Sequence, residues 1–122
     1  MQMKNAVRYI AVVVLCLAAC EWAPTHAQEQ PRVIEIHAKR FSFTPGEITI
    51  AKGETVTLSL TSEDVTHGLS IPELGVNVTI MKGKVTNVEL TPQQAGTFQG
   101  QCTHFCGVGH GSMVFSVQVK EK

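Results

Sequence analysis

The sequence is poor in tryptophan and tyrosine and carries no excess of charge of either sign. Its single Trp22 and single Tyr9 both lie in the first 27 residues. Lys and Arg together number 10, as do Asp and Glu, so the chain has no large electrostatic field with which to hold nucleic acid or an anionic membrane surface. We therefore expect no nucleic-acid partner, and no attachment to a membrane through charge.

A hydrophobic run long enough to cross a bilayer is also missing. The apolar run over residues 10–19 follows the basic residues Lys4 and Arg8. It is about half as long as the roughly 20 apolar residues that a transmembrane helix takes. A basic segment followed by a short apolar run is typical of an export signal. We predict a signal segment over residues 1–20 and export to the periplasm or to the outer face of the cytoplasmic membrane.

Two processing sites compete near the end of this segment. Residues 17–20, Leu-Ala-Ala-Cys, resemble the bacterial lipobox, in which Cys20 becomes the lipidated first residue. Residues 25–27, Thr-His-Ala, resemble an ordinary small-residue cleavage site that ends at Ala27. We prefer the lipobox because it lies directly after the apolar run. The predicted contact with a membrane is then a lipid anchor alone.

The rest of the chain has the pattern of a short tether and one β domain. Residues 21–32 are polar and contain two prolines, which predicts a tether. Over residues 33–122 apolar and polar residues alternate in short runs separated by turn residues, and no run has helical spacing. This predicts an all-β sandwich or barrel of seven or eight strands. The alternating apolar positions are Ile48, Ile50, Val56, Leu58, Leu60, Val88, Leu90, Phe115, Val117 and Val119.

Cysteine is scarce in this domain, and the two that it has stand in the segment richest in chemistry. Two of the four cysteines belong to the leader, which leaves Cys102 and Cys106. With His110 and Met113, they place two thiols, an imidazole and a thioether at intervals of four, four and three residues. Such donors together select soft or borderline metals, above all copper and zinc.

The segment over residues 102–113 has the features of a loop that could gather these donors. Glycines interrupt it at positions 107, 109 and 111, and the last predicted strand follows it. A further imidazole, His67, stands at the predicted start of a distant strand, after a polar turn. A sandwich could bring His67 to the loop.

Three other interpretations of these residues have to be weighed. In an oxidising compartment, Cys102 and Cys106 could form a plain disulfide. The two thiols with His110 and His67 could hold a tetrahedral structural zinc ion, which would leave Met113 without a role. A mononuclear blue-copper centre takes one thiolate, two imidazoles and a weak axial Met, so the second thiol argues against it.

The full pattern resembles that of a known family of copper domains. Residues 102–113 read Cys-x-x-x-Cys-Gly-x-x-His-x-x-Met, and residues 64–67 read Asp-Val-x-His. Both resemble the signature of the CuA domain of cytochrome oxidase subunit II, also found in nitrous-oxide reductase. The resemblance covers residues 33–120 and implies a cupredoxin-like Greek-key β-sandwich. It also implies a binuclear copper centre with two copper ions per chain.

The resemblance also implies a role for each donor. Cys102 and Cys106 bridge the two copper ions, His67 and His110 each bind one, and Met113 is a weak axial ligand. The backbone carbonyl of His104 is the remaining weak ligand. Relatives often have Glu or Gln at position 104, and because only the carbonyl is used, we expect the imidazole to be tolerated.

The function implied is single-electron transfer, between a donor such as a c-type cytochrome and an oxidase or reductase. No Ser, His and Asp arrangement, carboxylate pair or phosphate loop indicates catalysis by the chain alone. With no Trp or Tyr in the domain, Phe105 or the edge of His110 is the candidate point of electron transfer with the donor. The alternative function is copper delivery or storage without a redox role. His37 and Met81 are predicted to be surface residues.

Overall fold

The architecture is that of two β-sheets built from nine strands. The structure is a computed structural model that describes residues 29–122; the predicted signal segment, Cys20, the alternative cleavage site and most of the tether lie outside the described residues. No helix in the described part is long and apolar enough to cross a membrane. The strands are β1 (Arg32–Lys39), β2 (Ser42–Thr44), β3 (Glu47–Ala51), β4 (Val56–Ser62), β5 (His67–Ile71), β6 (Val76–Ile80), β7 (Thr86–Leu90), β8 (Gly96–Gln101) and β9 (Val114–Lys120).

The strands form one four-stranded and one five-stranded sheet. Their orders are β2-β1-β4-β7 and β3-β9-β8-β5-β6. The β1–β4 and β3–β9 pairs are parallel, whereas the other pairs are antiparallel. The all-β sandwich is confirmed, but there are nine strands in the described part rather than seven or eight. The short strand β2 buries one side chain, Phe43, so it has no alternation for a sequence pattern to reveal.

The buried core lies between the inner faces of the two sheets. Leu58 and Leu60 of β4 and Val117 and Val119 of β9 are buried, while the residues between them point away from the core. Every alternating apolar position predicted from the sequence is buried except Val88, which packs partly buried against the others. Full burial of one such side chain contributes about 1.5–3 kcal/mol. Period-two patterning therefore predicts the core well.

Strand pairing brings the two candidate donor segments to the same end of the sandwich. Strands β8 and β9 pair as far as Gln101 with Val114, so residues 102–113 form the loop that joins them. Strand β5 begins at His67 and pairs with β8 through Ser70 and Gln101. His67 therefore stands beside the start of that loop, although 35 residues separate it from Cys102 in sequence.

Candidate metal centre

The loop over residues 102–113 is folded back on itself by main-chain hydrogen bonds. The Cys102 N–H donates to the Met113 carbonyl at 3.1 Å, which closes the loop at its base. The His110 N–H donates to the Gly107 carbonyl at 3.1 Å. Gly107 has a φ of 142°, which favours glycine over any residue with a Cβ. This turn directs the donors on either side of it towards one point.

The donor atoms lie around the two thiols. The Sγ atoms of Cys102 and Cys106 are 4.0 Å apart. Cys102 Sγ is 3.9 Å from Nδ1 of His67 and 3.3 Å from the carbonyl oxygen of His104. Cys106 Sγ is 3.7 Å from Nδ1 of His110 and 3.9 Å from Sδ of Met113. Each thiol therefore has one imidazole nitrogen and one weaker donor beside it.

Most of this cluster is withdrawn from solvent. His67 is fully buried, Met113 is 1% exposed, and Cys102 and Cys106 are 5% and 7% exposed. His110 is half-buried and forms the outer wall. A soft metal bound here would be largely withdrawn from solvent, with His110 as the most exposed of its side-chain ligands.

A carboxylate orients the buried imidazole. The Nε2–H of His67 donates to Oδ1 of Asp64 at 2.7 Å, which leaves the lone pair of Nδ1 facing Cys102. Desolvation raises the pKa of Asp64, but hydrogen bonds from the Arg40 N–H, the His67 ring and the Val65 N–H outweigh it. Together they hold the pKa of this carboxyl well below its usual range. Asp64 is therefore an ionised acceptor that fixes which nitrogen of His67 can bind a metal.

The thiols are close enough to influence each other's ionisation. Burial raises the pKa of the Cys106 thiol, and the neighbouring Cys102 raises it further. A metal that binds here has to displace these protons, because the thiolate is the ligand. The pair thus favours a cation of high affinity for sulfur.

Glycine next to His67 lets the two donor segments approach closely. A Cβ added to Gly68 would collide with Oγ1 of Thr103 and lie 3.2 Å from the His104 nitrogen. The backbone that carries the His104 carbonyl therefore packs directly on β5. A side chain at position 68 would force Thr103 and the His104 backbone away from β5.

The other residues named from the sequence lie on the surface. The His104 imidazole is exposed, so only its carbonyl faces the thiols. Phe105 is 73% exposed, and its ring centroid is 5.8 Å from that of His110. His37 is exposed on β1, with Nδ1 2.9 Å from Oγ1 of Thr61, and Met81 is 45% exposed between β6 and β7. Both are therefore surface residues, and His37 is not part of the group formed by His67, Cys102 and Cys106.

Two contributions to the site were not assigned from the sequence. Asp64 stands in the motif that carries the resemblance, but its role depends on a hydrogen bond that only the fold shows. Phe41 packs on the loop from the β1–β2 turn, more than 60 residues earlier in the chain. No spacing rule connects positions so far apart.

The geometry disfavours the disulfide and the single zinc ion. The 4.0 Å between the sulfurs is about twice a disulfide bond, and both cysteines are free. A tetrahedral ion with bonds of about 2.0–2.3 Å would bring all four ligands within about 3.8 Å of one another. Among the described residues, the ligand atoms of His67, Cys102 and Cys106 lie mutually within 4.8 Å, and His110 is outside that group. Two metal positions suit the donors better than one.

Comparison with known proteins agrees with this arrangement. A sequence model of the family described as cytochrome c oxidase subunit II, periplasmic domain, matches residues 30–120. The cytochrome c oxidase subunit 2 of Thermus thermophilus is 31% identical over 88 residues, which are 72% of this chain and 65% of the relative. The chain thus spans slightly less than two thirds of that relative's length.

Solved structures share the fold at low sequence identity. The periplasmic domain of subunit II of cytochrome oxidase (CoxB) of Bradyrhizobium japonicum has a TM-score of 0.70 at 19% identity, over 77% of this chain and 87% of that chain. A chain of a heme-copper terminal oxidase dimer has a TM-score of 0.68 at 23% identity, over 97% and 93% of the two chains. Together with the family match and the donor cluster, these likenesses lead to one conclusion. The chain belongs to the family of periplasmic domains of cytochrome c oxidase subunit II, whose cofactor is the binuclear CuA copper centre.

Proposed function

We propose that this domain transfers single electrons through a copper pair held by Cys102, Cys106, His67 and His110. Met113 and the carbonyl of His104 act as the weak outer ligands. The observation that carries the assignment is the division of the donors, with one imidazole beside each of two thiols and His110 outside the group formed by the other three. Six donors so divided would suit two soft ions better than one.

When bound, the two copper ions supply a one-electron couple spread over both metals. The protein's part is to hold the donors in nearly the same positions before and after transfer. Burial of His67, Met113 and both thiols excludes water, and the Asp64 carboxylate fixes the His67 ring. Little rearrangement of the ligands is then needed, which favours fast transfer.

The same burial argues against copper delivery or storage as the main role. A protein that passes metal on needs donors that a partner can reach, such as exposed Met or His side chains. Here Met113 and both cysteines are buried in the core cluster, and only His110 is half-exposed. Copper held in this way exchanges slowly, as suits a resident cofactor.

We also propose the electron-transfer partners, with support from the family to which the chain belongs. We assign a soluble redox protein such as a c-type cytochrome as electron donor and the catalytic subunit of a terminal oxidase as acceptor. The match of residues 30–120 to the periplasmic domain of cytochrome c oxidase subunit II supports a place in such an assembly. Oxygen chemistry belongs to that complex and not to this domain.

The test of the copper centre is a count of bound ions. We expect the reduced, exported chain to take up two copper ions per chain. In the mixed-valence state, the electron-spin resonance should show hyperfine coupling shared equally by two nuclei, because bridging thiolates make both positions nearly equivalent. Metal analysis and the spectrum are recorded on the same sample, with zinc as the competing ion.

Each rival interpretation gives a different result. A disulfide would leave the chain unable to take up copper before reductant is added, a zinc site would retain zinc in the competition, and a blue-copper centre would take one ion with coupling to one nucleus. One copper per chain with a single-nucleus pattern would leave the fold intact and refute the binuclear assignment.

We propose further that Cys20 anchors the domain to the membrane through a lipid. The sequence of residues 17–20 supports this, and so does the periplasmic nature of the family. In a bacterial host that processes lipoproteins, Cys20→Ala is expected to move the protein from the membrane fraction to the soluble periplasm. Cys16→Ala is the matched control and should not change the distribution. A native chain recovered in the soluble fraction and beginning at Gln28 would contradict the anchor.

A further inference from the structure

The turn that joins β1 to β2 lies against the proposed copper loop, residues 102–113, through the ring of Phe41. The ring is 38% exposed and packs over the glycines at positions 107 and 109. The three atoms nearest to a Cβ added at Gly109 all belong to this ring, the first at 2.5 Å. A Cβ at Gly107 would lie 2.9 Å from the same ring. Phe41 therefore fills the space that side chains at these two positions would need.

The same turn also acts on the His67 imidazole, because Arg40 contacts the Asp64 carboxylate that binds this ring. The backbone N–H of Arg40 donates to Oδ2 of Asp64 at 2.9 Å, and Nε of Arg40 is 3.8 Å from that oxygen. The second oxygen of Asp64 accepts the hydrogen bond from His67. A carboxylate held at both oxygens cannot rotate freely, so the β1–β2 turn helps to fix the His67 ring through Asp64.

We infer that Arg40 and Phe41 together form a positioning element for both histidine ligands. The Phe41 ring supports the turn between Cys106 and His110, and the Arg40 N–H holds the carboxylate that orients His67. The inference rests on the ligand assignment proposed above. Arg40 and Phe41 supply none of the proposed donor atoms and lie outside the two motifs that carry the family resemblance.

The physical reason is the composition of the loop. Three glycines in five residues give the backbone between Cys106 and Ser112 many accessible conformations, and fixing each costs free energy when metal binds. A ring packed against Gly107 and Gly109 removes part of that freedom before the metal arrives. Loss of outer partners of a metal site typically lowers metal affinity 10–100-fold. Removal of the Phe41 ring should lower copper affinity by a factor in this range.

A double-mutant cycle between Phe41 and Gly109 tests the inference. Gly109 has a φ of −87° and a ψ of 9°, the conformation that most residue types adopt at the third position of a type I turn, so Gly109→Ala acts mainly through collision with the ring. We expect Gly109→Ala or Phe41→Ala alone to raise the rate of copper release about 10-fold or more. In the Phe41→Ala background, Gly109→Ala should add little, because the ring is already gone.

Two further variants separate positioning from general packing. Phe98→Ala removes another half-buried ring, four residues before Cys102 and about 13 Å along the strand, and should leave copper release unchanged. Arg40→Ala keeps the backbone N–H and should change the copper spectrum little. If Phe41→Ala does not fold, Phe41→Leu retains apolar area but not the flat ring, and should give an intermediate release rate.

A measurement on the copper-free chain keeps this test independent of the proposed function. The His110 N–H, which donates to Gly107, should exchange with solvent faster in Phe41→Ala than in the native chain. The inference would be overturned if Phe41→Ala showed the same His110 N–H exchange rate, the same copper release rate and the same hyperfine pattern as the native chain. Equal effects of Gly109→Ala in both backgrounds would overturn it too. Failure of the proposed function would show instead in the copper count of the native chain.

Discussion

Serine in place of Cys102 or Cys106 is expected to destroy the binuclear centre while leaving the domain folded. A serine hydroxyl does not ionise near neutral pH and cannot act as a soft bridging ligand. In the proposed centre each sulfur would be shared by both metal positions, so one substitution would remove a ligand from both ions at once. The loss of affinity should exceed the 10–100-fold that is typical of lost outer partners.

Copper analysis and the thiolate-to-copper absorption band measure this effect. We expect each variant to retain at most one ion and to lose the hyperfine pattern of two equivalent nuclei. Met113→Leu is the matched control, because it changes another buried sulfur of the same cluster that we assign as a weak ligand. It should keep both ions and shift only the reduction potential. Two coppers with an unchanged spectrum in either serine variant would contradict the bridging role.

The copper-free variants show whether loss of metal is merely loss of the fold. Both cysteines belong to the hydrophobic core cluster, so a serine there buries a hydroxyl at a cost of about 1–3 kcal/mol where it finds no partner. Thermal unfolding of the metal-free chains measures that cost directly. A serine variant that is folded but does not bind copper would show that the thiolate is needed for the metal and not for the fold.

The sequence predicts the sandwich and the donor set because both depend on local spacing. Alternation marks Leu58, Leu60, Val117 and Val119 as inward-facing without knowledge of their neighbours. The copper loop is likewise continuous, so its donors can be recognised from intervals of three and four residues. The link between His67 and the loop is not local, and it rests on the expected sandwich and on the family resemblance.

What could not be predicted are the contacts made between distant segments. Strand β2 has one buried side chain, Phe43, and exists because it pairs with the end of β1. Phe41 lies in a turn and is partly exposed, so nothing in its neighbourhood marks it as a support for Gly107 and Gly109. Such roles become visible only when the topology brings the segments together.

Removal of copper is expected to lower the free energy of unfolding by several kcal/mol. A ligand that binds only the folded state and is present at 1,000 times its dissociation constant adds about 4 kcal/mol. For a domain of this size, that corresponds to roughly 15–30 °C in the midpoint of thermal unfolding. A small domain buries a modest share of its surface, so this contribution is a large part of its total stability.

The size of this effect should depend on His67 more than on any donor within the loop. Cys102, Cys106, His110 and Met113 lie within one short segment, so an unfolded chain can still gather them around copper, and that binding does not favour the fold. His67 is 35 residues from Cys102 in sequence and reaches it only when β5 and β8 pair.

In His67→Gln, we therefore expect copper to raise the unfolding midpoint far less than it does in the native chain. Without copper, the midpoints of the variant and the native chain should differ much less than they do with copper. Calorimetry of four samples, native and variant with and without copper, gives the comparison. An equal rise in both chains would mean that the loop alone accounts for the copper-linked stability and that His67 does not hold the metal.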